Sequence, residues 1–169
     1  MNKFLITVLF LILLASPVGA ALKLNDTAPT FSLSDREGKD FYLSEYVGAS
    51  RKEVGNGIIL SFFASWCAVC RNELPLINSL VDELRGKGIT VVIVDVKEDA
   101  DIIGALLAEL KVDKPVVLSD RYGKTSEKYQ VRFLPTTFFI GADGKVKDII
   151  FGEITDQHML KTTAEKLLQ

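Results

Sequence analysis

Two cysteines, Cys67 and Cys70, are separated by two residues in Ser65-Trp66-Cys67-Ala68-Val69-Cys70, and the 169-residue chain has no others. At that spacing the second thiol meets the first one helical turn later. A disulfide between Cys67 and a substrate can then be resolved within the protein. The reactive species in such exchange is a thiolate, and the flanking sequence supplies a place that favours one. Ile58 to Phe63 is a short apolar run, the pattern of a strand buried on both faces. Beyond the cysteines Leu74, Ile77, Leu80, Val81 and Leu84 recur at three- and four-residue steps, the pattern of a helix. The pair therefore sits where a strand hands over to a helix. Unpaired N–H groups and the helix dipole there favour negative charge by about 0.3–1 kcal/mol, and by up to ~2 kcal/mol when partly buried. That lowers a thiol pKa by roughly 0.2–1.5 units, and neighbouring donors must supply any larger shift.

Other uses of the pair fit less well. A structural zinc site takes four ligands, whereas the chain offers one cysteine pair and a single histidine, the distant His158. A static disulfide closing so small a loop restrains the unfolded chain little. A copper-delivery site of two thiolates and a histidine is usually built on a wider cysteine spacing. His158 reads as a surface or cap residue. Glu98-Asp99-Ala100-Asp101 reads as a helix start favoured by the dipole, since it lacks the alternating ligands and central glycine of a calcium loop.

The elements that must hold the pair follow from periodicity. Ala28 to Leu33 alternates as a half-buried strand, Asp35 to Lys39 forms a turn, and Phe41 to Leu43 returns as the second strand of a hairpin. Ser44-Glu45-Tyr46 fits a single helical turn, and Val47 to Gly57, with its glycines, a loop. After the first central strand and its helix come a strand at Val91 to Val94 and a second helix marked by Ile102, Ile103, Leu106, Leu107 and Leu110. Three more strands follow at Val116 to Leu118, Thr137 to Ile140 and Val146 to Phe151, the last two joined by the turn Ala142-Asp143-Gly144-Lys145. A closing helix presents Leu160, Ala164, Leu167 and Leu168, with Thr155 as its expected cap. Buried parallel strands joined by helices imply one α/β domain with a central sheet and helices on both faces.

Composition excludes other classes. Apolar residues make up 48% of the chain and charged residues 25%, with a formal net charge of −2. These are globular proportions, without the basic footprint of a nucleic-acid binder.

Residues 1–20 read as a signal peptide: Lys3 is the basic start, Phe4 to Ala15 the apolar run, and Val18-Gly19-Ala20 the small residues before a cut. An uncleaved anchor is the alternative. Pro17 and Gly19 shorten the apolar stretch below the ~20 residues that a spanning helix needs. On either reading residues 21–169 form a single domain working outside the cytoplasm.

Trp66-Cys67-Ala68-Val69-Cys70 after a strand, Pro75 beyond it, and Leu134-Pro135-Thr136-Thr137-Phe138-Phe139-Ile140 resemble the thioredoxin superfamily. The stretch from Ala28-Pro29 to Tyr46, Glu73, and Pro115-Val116-Val117-Leu118 resemble its secreted TlpA/ResA-like branch. The resemblance covers about residues 25–168. It implies a thioredoxin fold, a central mixed sheet flanked by helices, with an N-terminal β-hairpin extension. It implies Cys67 as the exposed attacking sulfur and Cys70 as the shielded resolving one. Pro135 resembles the family's cis-proline, which offers backbone to an extended substrate, with Trp66 and Leu134 beside it. Trp66 is expected half in the core and half at the rim, and Pro75 should kink its helix by removing a hydrogen bond. Thioredoxins place a buried Asp on the preceding strand as proton carrier; the matching position here is Ser61, so Glu73 is the expected acid/base. Val69 departs from a common proline, and Leu134 from a polar residue in some relatives. Both positions tune redox potential and substrate fit.

What this implies is a thiol-disulfide oxidoreductase reducing protein disulfides in the periplasm or a comparable compartment, as in cytochrome c maturation. Its partners would be protein thiol and disulfide substrates and a membrane thiol carrier as electron donor. A monomer is expected, with no metal and no cofactor beyond the Cys67–Cys70 disulfide. The alternatives are a peroxiredoxin-like peroxidase, against which Ala64 occupies the usual threonine position, and a copper or zinc carrier using the two cysteines.

Overall fold

Strand β3 (Gly57–Phe63) is buried at every position, as its apolar run, interrupted only by Ser61, implies. It is the middle strand of a five-stranded sheet ordered β5-β4-β3-β6-β7. The other strands are β4 (Ile89–Val96), β5 (Val116–Asp120), β6 (Thr136–Gly141) and β7 (Val146–Phe151). β3 and β4 pair in parallel, as do β4 and β5, while β6 runs antiparallel to both β3 and β7. This computed structural model describes residues 21–169, and the expected signal peptide at 1–20 lies outside the described residues. Among the described residues no helix is long and apolar enough to cross a membrane.

Strand alternation sorts β3 onto two cores. Ile58, Leu60 and Phe62 join Phe138 and Tyr129 on the side of the N-terminal hairpin. Ile59 and Phe139 meet Ile77, Leu80, Val81 and Leu84 of helix α2 (Ala68–Gly86), together with Leu160 of α5 (Gln157–Ala164). Ser61 shares the parity of Ile59 and Phe63 and so faces the helix side. In the antiparallel register Ser61 stands opposite Thr137. Where β3 begins, Gly57 has φ +148°, and a Cβ there would lie 2.2 Å from the Ile140 carbonyl oxygen. Only glycine lets the strands approach that closely.

The hairpin extension forms with shorter strands than its alternation implies, β1 (Ser32–Ser34) and β2 (Asp40–Tyr42), followed by the one-turn helix α1 (Leu43–Tyr46). Upstream of β1 the chain is tied instead to the turn between β6 and β7: Ala28 N donates to Gly144 O, and Thr27 bridges to Lys145. Tyr129 is buried beneath this extension, and its hydroxyl donates to Pro29 O at 2.9 Å.

Helix α3 (Ala100–Leu110) buries Ile103, Leu106 and Leu107. Ile102, expected on that face, is 51% exposed, as is Leu168 at 44% in the closing 3₁₀ turn. A short helix without an apolar rhythm, α4 (Lys124–Lys128), escapes sequence reading altogether. It is held by buried Asp120, whose carboxylate accepts from Thr125 N and Ser126 N. At α5 the cap is Asp156, not Thr155. The Asp156 carboxylate accepts from Met159 N at 2.9 Å, while the Thr155 hydroxyl turns to Asp156. Pro75 lies inside α2. It costs that helix one backbone bond without ending it.

Candidate active site

Cys67 is the N-cap residue of α2, with extended backbone at φ −84° and ψ 103°. Its Sγ accepts from Cys70 N at 3.2 Å, the bond that a serine oxygen would take at an ordinary cap. Cys67 and Cys70 are joined by a disulfide with an S–S distance of 2.06 Å and a Cα–Cα distance of 5.2 Å. No acidic residue occupies the first turn of α2, so nothing within it opposes the dipole's preference for a thiolate. Cys67 is 6% exposed and Cys70 fully buried. The expected asymmetry is present in order, but Cys67 is far less open than anticipated because Phe63, Leu74 and Leu134 pack around the pair.

Glu73 lies one turn beyond Cys70, and its sequence alone leaves a solvated carboxylate equally open. The structure buries it to 1% exposure. Oε1 accepts from the Ser61 hydroxyl at 3.3 Å and Oε2 from the backbone N–H of Ile154 at 2.9 Å. Desolvation pushes the carboxyl up to about 7, helped by the nearby Glu153 charge and opposed by the two hydrogen bonds. An acid titrating near neutrality can both give and take a proton at physiological pH.

The rim departs from expectation at Trp66, which is 73% exposed rather than half in the core. Cys67 and Cys70 join Phe63 and Leu74 in one buried cluster, and Trp66 is not part of it. The Leu134–Pro135 bond is cis. Its loop is pinned on both sides: Gly152 N donates to Pro135 O at 2.9 Å, and the Thr136 hydroxyl donates to Phe133 O at 2.8 Å. Leu134 reaches back to the cysteine cluster. Phe133 and Phe151, 58% and 63% exposed, meet edge to face with ring centroids 5.8 Å apart. A cleft of about 690 Å³ lies elsewhere, between Arg36 of the hairpin turn and Lys111 after α3, and neither cysteine lines it. Trp66 next to Cys67, and Phe133 and Phe151 by the Pro135 loop, thus present an exposed apolar ridge near the reactive pair.

Sequence reading missed the support beneath the loop. Glu98 does not serve the α3 dipole; Asp99 is the N-cap there. The Glu98 carboxylate instead takes both the backbone N–H of Ser65, at 2.6 Å, and the Ser65 hydroxyl. The Glu98 N–H in turn donates to Asp95, a buried carboxyl pushed up to about 6 by desolvation. Ser61 was legible as the position of the thioredoxins' buried acid, but its pairing with Thr137 was not. Phe133 and Phe151 carried no signal separating them from core aromatics. His158 is exposed, away from the cysteines' cluster.

Residues 24–149 match the AhpC/TSA family. The chain belongs to the AhpC/TSA family. Within it, the chain is 34% identical over 137 residues to the thiol-disulfide oxidoreductase ResA of Geobacillus thermodenitrificans, covering 81% of this chain and 74% of that one. It is 30% identical to the ResA of Bacillus cereus, covering 94% and 93% of the two chains. A crystal structure described as a putative thiol:disulfide interchange protein DsbE from Chlorobium tepidum superposes with a TM-score of 0.76. That chain is 29% identical, with 88% of this chain and all of the other covered. This AhpC/TSA chain is therefore a thiol-disulfide oxidoreductase of ResA-like type, with the thioredoxin-like mixed sheet and the N-terminal two-stranded extension.

Proposed function

We propose that this oxidoreductase reduces disulfides in polypeptide substrates outside the cytoplasm, with Cys67, Cys70 and Glu73 as its catalytic residues. One observation carries the reading: a cysteine pair at the amino end of a helix, with a buried carboxyl that titrates near neutrality one turn below it. In the reduced protein the Cys67 thiolate attacks one sulfur of the substrate disulfide. The substrate's other sulfur leaves as a thiolate and takes up a proton. Cys70, losing its proton to the Glu73 carboxylate, then attacks the Cys67 sulfur and closes the internal disulfide. The second substrate thiol is released and is protonated from the carboxyl. Two electrons pass to the substrate, and a membrane thiol carrier must return two for the next turnover.

The substrate is a chain rather than a small molecule on this reading, because the sulfurs lie near an exposed ridge and not in a pocket. Trp66, Leu134, Phe133 and Phe151 offer apolar surface on either side of Pro135. An extended segment with a cysteine and apolar neighbours fits that ridge, as apocytochrome c does before haem attachment. The deciding measurement is the reduction potential of the Cys67–Cys70 pair. A value near about −270 mV, as in thioredoxin, is expected. A value near about −120 mV would make the protein an oxidant and reverse the proposed direction.

A further inference from the structure

The buried carboxyl of Glu73 is supported by a hydroxyl pair that the reaction as written leaves unused. Ser61 on β3 and Thr137 on β6 stand opposite each other in register, both buried. The Thr137 hydroxyl donates to Ser61 Oγ at 2.9 Å, and the Ser61 hydroxyl donates to Glu73 Oε1 at 3.3 Å. The groups that face Glu73 are therefore Ser61 from β3, and the Ile154 N–H and the Glu153 carboxylate from the segment after β7; Cys70 lies one turn before it on its own helix. The Ile154 N–H can only donate, so Oε2 accepts from it whether or not the carboxyl is protonated. A hydroxyl can do either. At Oε1, Ser61 can donate to the carboxylate, or accept from the acid while turning its own hydrogen toward Thr137.

We propose that Ser61, held in place by Thr137, is a positioning residue for Glu73, letting the carboxyl hold or release its proton without moving. This rests on the reading of Glu73 as the proton carrier for Cys70. The pair also explains how a strand position occupied by a carboxylate in thioredoxins stays engaged with proton transfer here. The acid has moved to the helix, and the strand supplies the group that turns it.

The test follows the Glu73 carboxyl by carbon-13 NMR across pH in the oxidised protein, alongside the pH profile for resolving a Cys67–substrate mixed disulfide. Ser61→Ala removes the bond from both forms, but the bond to the carboxylate is the stronger of the two, and the Ile154 bond is left alone. The carboxyl midpoint is expected to rise by about one pH unit, and the resolution profile to rise with it. Thr137→Val should move both in the same direction by less, and Thr137→Ser, which keeps the hydroxyl, should restore the native midpoint. Because Thr137 acts through Ser61, Ser61→Ala with Thr137→Val should match Ser61→Ala alone. An unmoved midpoint in Ser61→Ala, or full additivity in the double variant, overturns the proposal. The NMR titration involves no turnover, so it stands apart from the role of Glu73. A Glu73→Gln variant that resolves mixed disulfides at the native rate across pH would instead remove the proton-carrier reading and the positioning role with it.

Discussion

Each sulfur has its own surroundings, and these assign the two steps of exchange. Cys67 caps α2 and keeps a sliver of exposure, while Cys70 is enclosed by the helix it belongs to. A substrate sulfur can therefore reach Cys67 but not Cys70 in this arrangement. Cys70→Ser should accumulate a mixed disulfide between Cys67 and substrate, visible on a non-reducing gel. Cys67→Ser should accumulate none. Equal trapping by both variants would mean that the helix opens before the first attack, and the assignment of roles would fall. The small exposure of Cys67 adds a second expectation at this scale. Attack is then expected beside Pro135, where Leu134 packs against the cysteine cluster and Phe133 is exposed.

At the scale of elements, the site depends on a loop that helix and strand propensities do not fix. Ser65 precedes Trp66 and Cys67, and both its N–H and its hydroxyl are held by Glu98, which lies just before α3. β4 ends close to that point, so the sheet itself positions Glu98. Hydrogen bonds to a charged group are worth about 1.5–3 kcal/mol, and losing one leaves a part-buried donor unpaired. Glu98→Ala should accordingly destabilise the oxidised protein by about 2 kcal/mol in denaturant titrations. It should also lower the disulfide-reduction rate, because Cys67 loses its fixed approach, while Glu98→Gln retains part of both. A variant with native stability and native rate would show that the loop is held by packing alone.

For the whole molecule, burying Glu73 makes stability depend on pH. Its carboxyl sits near 7 in the fold, against about 4.3 in an unfolded chain. Below the unfolded value both states carry the proton and the fold loses nothing. As pH rises toward 7 the unfolded chain releases its proton first, binds fewer protons than the native state, and gains relative stability. The native protein should lose about 3–4 kcal/mol from this one group between roughly pH 4 and pH 8. Asp95, raised to about 6, acts in the same direction over a lower window. Glu73→Gln cannot ionise. The difference in unfolding free energy between native and variant oxidised protein should therefore shift toward the variant as pH rises across that window. A difference that stays flat would show that Glu73 titrates normally despite its burial.

The sequence by itself determined the chemistry and the frame that presents it. Cysteine spacing, the apolar run before it and the three-and-four rhythm after it are local signals, and each reports its own element without reference to distant ones. The hairpin, the central strands and the junction at Cys67 follow from such signals. The five-residue α4 does not, because its hold on the fold comes from Asp120 rather than from any rhythm of its own. Tertiary structure alone decided which polar groups are dry and which apolar ones are wet. Glu73 became an acid titrating near neutrality only because the fold buries it, with the Ile154 N–H, 81 residues away, holding Oε2 and partly offsetting the rise. Ser61 and Thr137, 76 residues apart, became partners only through strand register. Trp66 is exposed although its neighbour Cys67 is buried in an apolar cluster. Burial is set by everything that surrounds a residue. Its desolvation energy, and the chemistry that energy tunes, is therefore written in no short stretch of the chain.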